Sequence, residues 1–124
     1  MKFDFDNEKP IYLQLIEGVR VAIVSGELPP GSRIPPVREL AMQARINPNT
    51  VQRALAELEE EGLIFTERTN GKYVTEDAAR IRAEKEKLAR LSLCRFRKEL
   101  ARLGMTKNEI ETLFKEDDHG NTDL

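Results

Sequence analysis

Four polar side chains near the middle of the chain have the chemistry needed to read a nucleic acid. They are Asn49, Thr50, Gln52 and Arg53. Amide and guanidinium groups can each hydrogen-bond two atoms of one base edge, and hydroxyl groups can bond to bases or phosphates. Val51, Leu55 and Leu58 recur among them at helical spacing, which gives the same segment an apolar face. We therefore predict a helix that buries one face and presents the four polar side chains on the other.

The predicted recognition helix has clear signals at both ends, and a shorter helix precedes it. Asn47 can cap the start, Pro48 suits the first turn, and Gly62 is a typical stop. The shorter helix is predicted to have Pro36 as its first residue, and its apolar positions are Val37, Leu40, Ala41, Met42 and Ala44. Two helices joined by a tight turn are typical of the helix-turn-helix, whose second helix enters a DNA major groove.

A β-hairpin is predicted directly after the recognition helix. The runs 63–66 and 72–75 favour strands, and Asn70-Gly71 between them favours a type I′ turn. At or near the tip of this wing we expect candidate DNA contacts from Arg68, Asn70, Gly71 and Lys72. The order helix, turn, helix and hairpin predicts a mainly α fold with a small β-hairpin wing, which is a winged helix-turn-helix.

The segment before the helix pair is expected to support it. Pro10 opens a helix that Gly26 ends, and its apolar stripe consists of Ile11, Leu15, Val19, Ala22 and Ile23. Residues 27–35, with three prolines, form a rigid connector. Phe3 and Phe5 are predicted to pin the polar N-terminal arm onto the body, the alternative being an arm that binds a partner.

Several separate motifs within residues 8–76 resemble the DNA-binding domain of GntR-type bacterial transcription regulators. They are RIPPVRELA (33–41), NPNTV (47–51) and ELEEEGLI (57–64), with PIY (10–12) and SGELPPG (25–31) upstream. The NPNTV form and the short helical tail resemble the YtrA subfamily in particular. The resemblance implies a regulator, most simply a repressor, that binds an inverted-repeat operator as a homodimer through its tail helices.

The sequence also departs from the family pattern at the predicted interface. Many members carry Ser at the position of Pro36, and Arg at the positions of Pro48 and Gln52, where those arginines read guanine. Of the family's arginines at this surface, only Arg38 is present here. We therefore expect Arg33 and Arg38 to contact phosphates, Asn47 to lie beside them, and the four recognition-helix side chains to set a different operator sequence.

The chain after the wing is predicted to join two copies of the protein. A long helix is expected from about Ala78 to Leu103, and Thr106 with Glu109 has the capping-box pattern of a second helix start. Two helices cannot close a core, so either the winged domain or a second copy of the chain must cover their apolar stripe. We expect the second copy, because two-fold dimers are the commonest oligomers. The predicted interface is Ile81, Leu88, Leu91, Phe96, Leu100, Leu103, Ile110, Leu113 and Phe114. We place the winged domain at 1–76, the dimerisation segment at 77–116 and a flexible tail at 117–124.

Charge and composition limit the classes of function that we expect of the protein. The formal net charge of −2 opposes DNA binding. Between residues 31 and 56, however, four arginines face one acid, Glu39, so the predicted interface is basic. The only His, His119, lies in the predicted tail, the only Cys, Cys94, is predicted to be a buried apolar residue, and no Gly-rich phosphate loop exists. We therefore expect no catalysis and no cofactor or metal, and with no apolar run of about 20 residues we expect a cytoplasmic protein.

Two other functions stay open at this point. One is a regulator that responds to a small molecule bound at the dimer interface, although only about fifty residues follow the wing. The other is a helical adaptor protein that does not bind DNA, which the acidic overall charge would suit. Salt-sensitive, sequence-dependent DNA binding would separate a regulator from an adaptor.

Overall fold

A computed structural model describes residues 3–120 of the 124-residue chain, and the burial of side chains up to Asp117. Within this range the elements are α1 (Ile11–Ser25), α2 (Val37–Ala44), α3 (Pro48–Glu60), β1 (Ile64–Glu67), β2 (Gly71–Val74), α4 (Ala78–Arg102) and α5 (Lys107–Gly120). The mainly α fold with a two-stranded antiparallel wing is therefore confirmed. No helix in residues 3–120 has the length and apolar character needed to cross a membrane.

The chain divides into two compact units inside α4. The first unit is Met1–Lys85 and the second is Glu86–Leu124. The first two turns of α4 thus belong with the winged domain, nine residues beyond the expected end of that domain at 76. The assignment of functional domains stays a prediction.

The first unit has a closed apolar core. Its fully buried large side chains are Leu15, Val19, Ile23, Leu40, Val51, Leu55, Leu58, Leu63 and Val74. They come from α1, α2, α3 and the wing, as the helical spacing of the apolar residues predicts. Phe3 and Phe5 stack at 5.5 Å and pack against this core, which agrees with the predicted arm. Met42 does not join it and is 74% exposed, because Leu40, Ala41 and Ala44 already form the inner face of the short α2.

Local hydrogen bonds fix the two helix starts of the helix-turn-helix. The Asn49 N–H donates to Asn47 Oδ1 at 2.8 Å, so Asn47 caps α3 as predicted, with Pro48 in the first turn. Pro36 lies one position outside α2 rather than at its first residue. Its ψ of 149° is extended, while its carbonyl already accepts the Leu40 N–H at 3.0 Å. Pro36 therefore acts as the cap residue.

The wing pairs β1 with β2, and a further extended segment lies beside β2. Ile64 pairs with Val74, and Glu67 pairs with Gly71. On the other edge of β2 the Ile34 N–H donates to the Lys72 carbonyl at 2.8 Å, and the Val74 N–H donates to the Ser32 carbonyl at 2.9 Å. The connector after α1 therefore contributes to the wing as a third extended segment, which the sequence reading did not anticipate.

The predicted type I′ turn is wrong. Glu67 and Gly71 are paired, so residues 68–70 form a three-residue connection, and the Asn70 N–H donates to the Glu67 carbonyl at 3.4 Å. Gly71 has a φ of 104°, whereas Asn70 is not among the residues with positive φ. A type I′ turn needs positive φ at both central residues. The hairpin itself is confirmed.

The second unit contains most of α4 and α5, which is capped as the sequence predicts. The Thr106 N–H donates to Glu109 Oε1 at 3.0 Å, and the Glu109 N–H donates to Thr106 Oγ1 at 3.2 Å. These bonds to Thr106 lower the pKa of the Glu109 carboxyl. α5 continues to Gly120, so the first four residues of the segment expected to be a flexible tail are helical. Residues 121–124 lie outside the described residues.

Candidate nucleic-acid interface

The recognition helix α3 presents most of its predicted side chains to solvent. Asn49, Gln52 and Arg53 are exposed, and Thr50 is half-buried beside the N-terminal turn. On the opposite side of the helix Val51, Ala54, Leu55 and Leu58 are buried in the core. This division fixes the rotation of α3 about its axis, because turning the polar face inward would expose four core residues.

On the edge of α3 that faces α1, Arg53 lies over an aromatic ring. Its guanidinium carbon is 4.7 Å from the centroid of the Tyr12 ring. The Tyr12 hydroxyl donates to Glu57 Oε2 at 2.6 Å. The pKa of the Tyr12 hydroxyl is raised, mainly by this bond to Glu57 and to a smaller extent by burial. The predicted groove contact Arg53 is thus held by an α1 residue that the sequence reading assigned to structural support alone.

Lys72 of β2 bonds to one residue of α3 and to one residue of β1. Its ammonium lies 3.1 Å from Glu59 Oε2 and 3.0 Å from the Thr66 hydroxyl. The Thr66 hydroxyl also donates to Glu59 Oε1 at 2.6 Å. The hydrogen bond from Thr66, together with the charge of Lys72, outweighs burial and lowers the pKa of Glu59. Lys72 therefore joins β2 to α3 and pairs with Thr66, one residue pair from the turn of the wing.

The remaining wing candidates form an exposed edge. Arg68 and Asn70 are exposed in the connection between the strands. Arg33 lies beside β2, opposite Tyr73, and its guanidinium rests on Gly71 so closely that a Cβ there would meet it at 3.4 Å. Gly71 thus provides the flat surface on which Arg33 lies. The structure brings Arg33 and the wing tip together.

Two further candidates for DNA contacts lie in the helix-turn-helix, Arg38 in α2 and Asn47 at the N-cap of α3. Arg38 is exposed in the first turn of α2 and makes no hydrogen bond or ion pair within the described residues. Asn47 is exposed, and its Oδ1 is occupied by the cap of α3. Its side-chain amide group keeps two N–H donors for another acceptor. These positions fit phosphate contacts beside the recognition helix, because backbone contacts require exposed donors rather than base-specific geometry.

The charge of α3 changes along its length. Its first half carries Arg53 and no acid, whereas the second half and the C-cap carry Glu57, Glu59, Glu60 and Glu61. The positive surface is therefore limited to the N-terminal half of α3 and its neighbours. That is the half a recognition helix inserts into the major groove.

The residues predicted for dimerisation divide between the two units. Ile81 packs against the core of the first unit, so it has an intramolecular partner. In the second unit Leu100 is 8% exposed, Leu88 and Ile110 are half-buried, and Phe96 meets Phe114 edge-on at 5.6 Å. Among the residues predicted for dimerisation, those that stay 40–65% exposed are Leu91, Phe96, Leu103, Leu113 and Phe114.

An ionic cluster around the buried Glu84 at the start of α4 was not predicted from the sequence. Glu84, 3% exposed, accepts from Arg80 at 3.0 Å and from Arg20 at 3.2 Å. Arg20 also pairs with Glu61, and Arg80 Nε donates to the Glu61 carbonyl at 2.9 Å. Burial raises the pKa of Glu84, but the two arginines outweigh it and the net pKa is lowered. Only the i, i+4 spacing of Arg80 and Glu84 could have indicated this cluster.

The prediction that Cys94 is buried is wrong, because the structure places it on an exposed part of α4. In the second unit two helices leave many α4 positions without an intramolecular neighbour, so a small apolar residue gains no burial there. Within the described residues no group of three or more His, Cys, Asp or Glu side chains is placed to hold a metal ion.

Comparison with known proteins places the chain among bacterial regulators. The model of the family "Bacterial regulatory proteins, gntR family" matches residues 11–74. The chain is 41% identical over 110 residues to the uncharacterized HTH-type transcriptional regulator YhcF of Bacillus subtilis, covering 89% of this chain and 91% of YhcF. It is 42% identical over 78 residues to the HTH-type transcriptional repressor YtrA of the same organism, covering 63% of this chain and 60% of YtrA.

Solved structures agree with these relatives. A GntR family transcriptional regulator from Listeria monocytogenes superposes with a TM-score of 0.83 at 41% identity, covering 90% of this chain and 98% of that chain. The AraR DNA-binding domain in complex with operator ORE1 superposes with a TM-score of 0.52 at 26% identity, covering 60% of this chain and 94% of that chain.

Proposed function

Since the chain belongs to the GntR family and is a DNA-binding transcription regulator, we propose that it acts as a repressor that binds an inverted-repeat operator as a homodimer. The site of action is the bacterial cytoplasm, where an occupied operator would occlude a promoter. The repressor YtrA of B. subtilis, 42% identical over 78 residues, supports the sign of regulation.

The observation that carries the proposal is the polar face of α3 beside the exposed arginines. Asn49, Gln52 and Arg53 are exposed on α3, with Arg38 close to its start in sequence and Arg33 at the wing. We assign Arg33 and Arg38 to phosphates, because guanidinium groups bind phosphate oxygens of any sequence. We assign the α3 side chains, with Thr50, to base edges, where Gln or Asn pairs most simply with adenine. Lys72 shapes the wing through its bond to Glu59.

The homodimer is supported by the exposed apolar side chains of the second unit. Covering Phe96, Leu113 and Phe114 would remove apolar surface from water at about 25 cal/mol per Å². A second copy of the same helices is the occupant that we propose, because two-fold dimers are the commonest oligomers. Two recognition helices related by such an axis read half-sites about 34 Å apart, which accounts for an inverted-repeat operator.

Selection of bound duplexes from a random DNA pool at near-physiological salt tests the proposal. We expect enrichment of an inverted repeat. Arg38→Ala should weaken binding to the enriched site and to random duplex alike, whereas Gln52→Ala should lower affinity for the enriched site by about tenfold and spare random DNA. The two variants are matched controls for each other, since both remove an exposed side chain from the helix-turn-helix.

The proposal fails if the pool shows no enrichment, or if the enriched site lacks two-fold symmetry. Equal losses on operator and random DNA for both variants would overturn the division between phosphate and base contacts.

A further inference from the structure

Tyr12 lies outside every set of residues assigned to DNA, yet it contacts the exposed face of α3. It is in the first turn of α1, half-buried, and its neighbours on α3 are Arg53 and Glu57. Core packing does not account for both contacts, because a Phe would fill the same space without the hydroxyl.

The contact with the ring leaves the hydrogen-bonding groups of Arg53 available. The five N–H donors of a guanidinium lie in its plane and no aromatic acceptor consumes them, so a guanidinium over a ring can still bond to another partner. A salt bridge to a carboxylate would instead occupy two of these donors. In the described part of the chain Arg53 forms no ion pair with Glu57.

The hydroxyl of Tyr12 bonds to the carboxylate that is spaced to pair with Arg53. The two residues are at i and i+4 on α3, the spacing at which an acid and a base normally pair along a helix. Glu57 Oε2 instead accepts the Tyr12 hydroxyl at 2.6 Å. The same side chain therefore supports the guanidinium through its ring and engages the competing carboxylate through its hydroxyl.

We propose that Tyr12 is a specificity-determining positioning residue, which holds the Arg53 guanidinium over its ring and keeps Glu57 away from it, so that Arg53 can bond to a base edge. This inference rests on the proposed function. The expected target is a guanine, since Arg bonds to two acceptors on its major-groove edge.

The test measures binding of full-length variants to the selected operator and to random duplex. Tyr12→Phe keeps the ring and frees Glu57, so we expect operator affinity to fall about tenfold with little change on random DNA. Glu57→Gln alone should bind the operator at least as tightly as the wild type. The double variant Tyr12→Phe/Glu57→Gln should recover operator affinity to within about threefold of the wild type, because no carboxylate competes for Arg53.

Two controls make the result specific. Tyr73→Phe alters the only other tyrosine, which stacks on Phe65 in the wing, and should leave both affinities unchanged. In an Arg53→Ala background Tyr12→Phe should have no further effect on operator affinity. Thermal melting of each variant confirms that the winged domain is folded.

The outcomes separate this inference from the function on which it rests. A wild-type protein that binds no duplex overturns both. If the wild type binds its operator, then equal affinity of Tyr12→Phe, failure of Glu57→Gln to rescue it, or an unchanged effect in the Arg53→Ala background each overturns the role of Tyr12 alone.

Discussion

The two units of the chain differ in the share of their large apolar side chains that they bury. In the first unit nine large apolar side chains from α1, α2, α3 and the wing are fully buried. In the second unit, formed by most of α4 and by α5, Leu100 is buried, but six large apolar side chains stay 40–65% exposed. Both units have amphipathic helices, so the difference lies in how many elements are present to cover each stripe.

The comparison shows which part of the function each unit can supply by itself. Three helices and a wing close a core, and that core fixes the polar face of α3 without help. Two helices leave apolar surface that only another element can cover. The surface proposed to contact DNA is thus formed within one chain, whereas the proposed homodimer depends on a second copy.

The largest contrast is expected from the same substitution made in each unit. Leu58→Ala removes a fully buried side chain of the first unit and should lower the free energy of unfolding by about 2–5 kcal/mol, since the cavity adds to the lost burial. Leu93→Ala in α4 removes a half-exposed side chain and should cost less than about 0.5 kcal/mol. Urea unfolding followed by circular dichroism measures both; similar losses would remove the contrast.

A charge placed on each exposed surface should separate an interface from ordinary surface. Leu113→Asp buries a charge in the proposed dimer and should weaken association at least a hundredfold, about 2.7 kcal/mol. Leu13→Asp in α1, where the side chain is 56% exposed, should leave the mass unchanged. Light scattering over a range of concentrations reads out the mass. An unchanged dimer for Leu113→Asp would place the interface elsewhere.

The ionic cluster around the buried Glu84 at the start of α4 should make stability depend on pH. The folded state lowers the pKa of Glu84 below its ordinary 4.5, so its contribution is present at neutral pH and is lost as the pH falls below 4.5 and through the lowered pKa. Glu84→Gln should therefore cost about 1.5–3 kcal/mol at neutral pH and much less in strong acid. Glu86→Gln, two residues later and exposed, is the matched control. A pH-independent cost would contradict the ionic role.

The smallest effect is expected at the capping box of α5. Thr106→Ala removes the hydroxyl that accepts the Glu109 N–H and should cost about 1 kcal/mol of helix stability. Thr106→Ser keeps the hydroxyl and should be nearly neutral. Hydrogen exchange of the first amides of α5 detects the change, and equal exchange in the two variants would exclude the cap as a stabilising element.

Features with local causes were predictable from the sequence. The Asn47 cap and the Thr106–Glu109 box were read correctly because each pairs atoms within three residues. The prediction of a type I′ turn in the wing is wrong because β2 is paired on both edges, by β1 and by the segment 31–34. Its register therefore depends on distant strands as well as on Asn70-Gly71.

The contacts that hold Arg53 and the start of α4 join residues far apart in the chain. Tyr12 and Glu57 are separated by 45 positions, and Arg20 and Glu84 by 64. Neither pair shares a local pattern, so spacing along the chain could not predict them. The exposed face of α3 was predictable because its periodicity is local, whereas the support for Arg53 was not.

The acidic second half of α3 also bears on how the protein is distributed in a cell. Phosphate contacts supply most of the affinity for DNA of arbitrary sequence, and that affinity falls with each contact that is missing. The carboxylates of Glu57, Glu59, Glu60 and Glu61 lie in the second half of α3 and at its C-cap, so we expect phosphate contacts only at the other end of the helix. Since a genome offers about 10⁶–10⁹ competing sites, a weak general affinity leaves more free molecules to find the operator. If the proposed interface is correct, the acids that oppose DNA binding would thereby favour occupancy of the operator at low copy number.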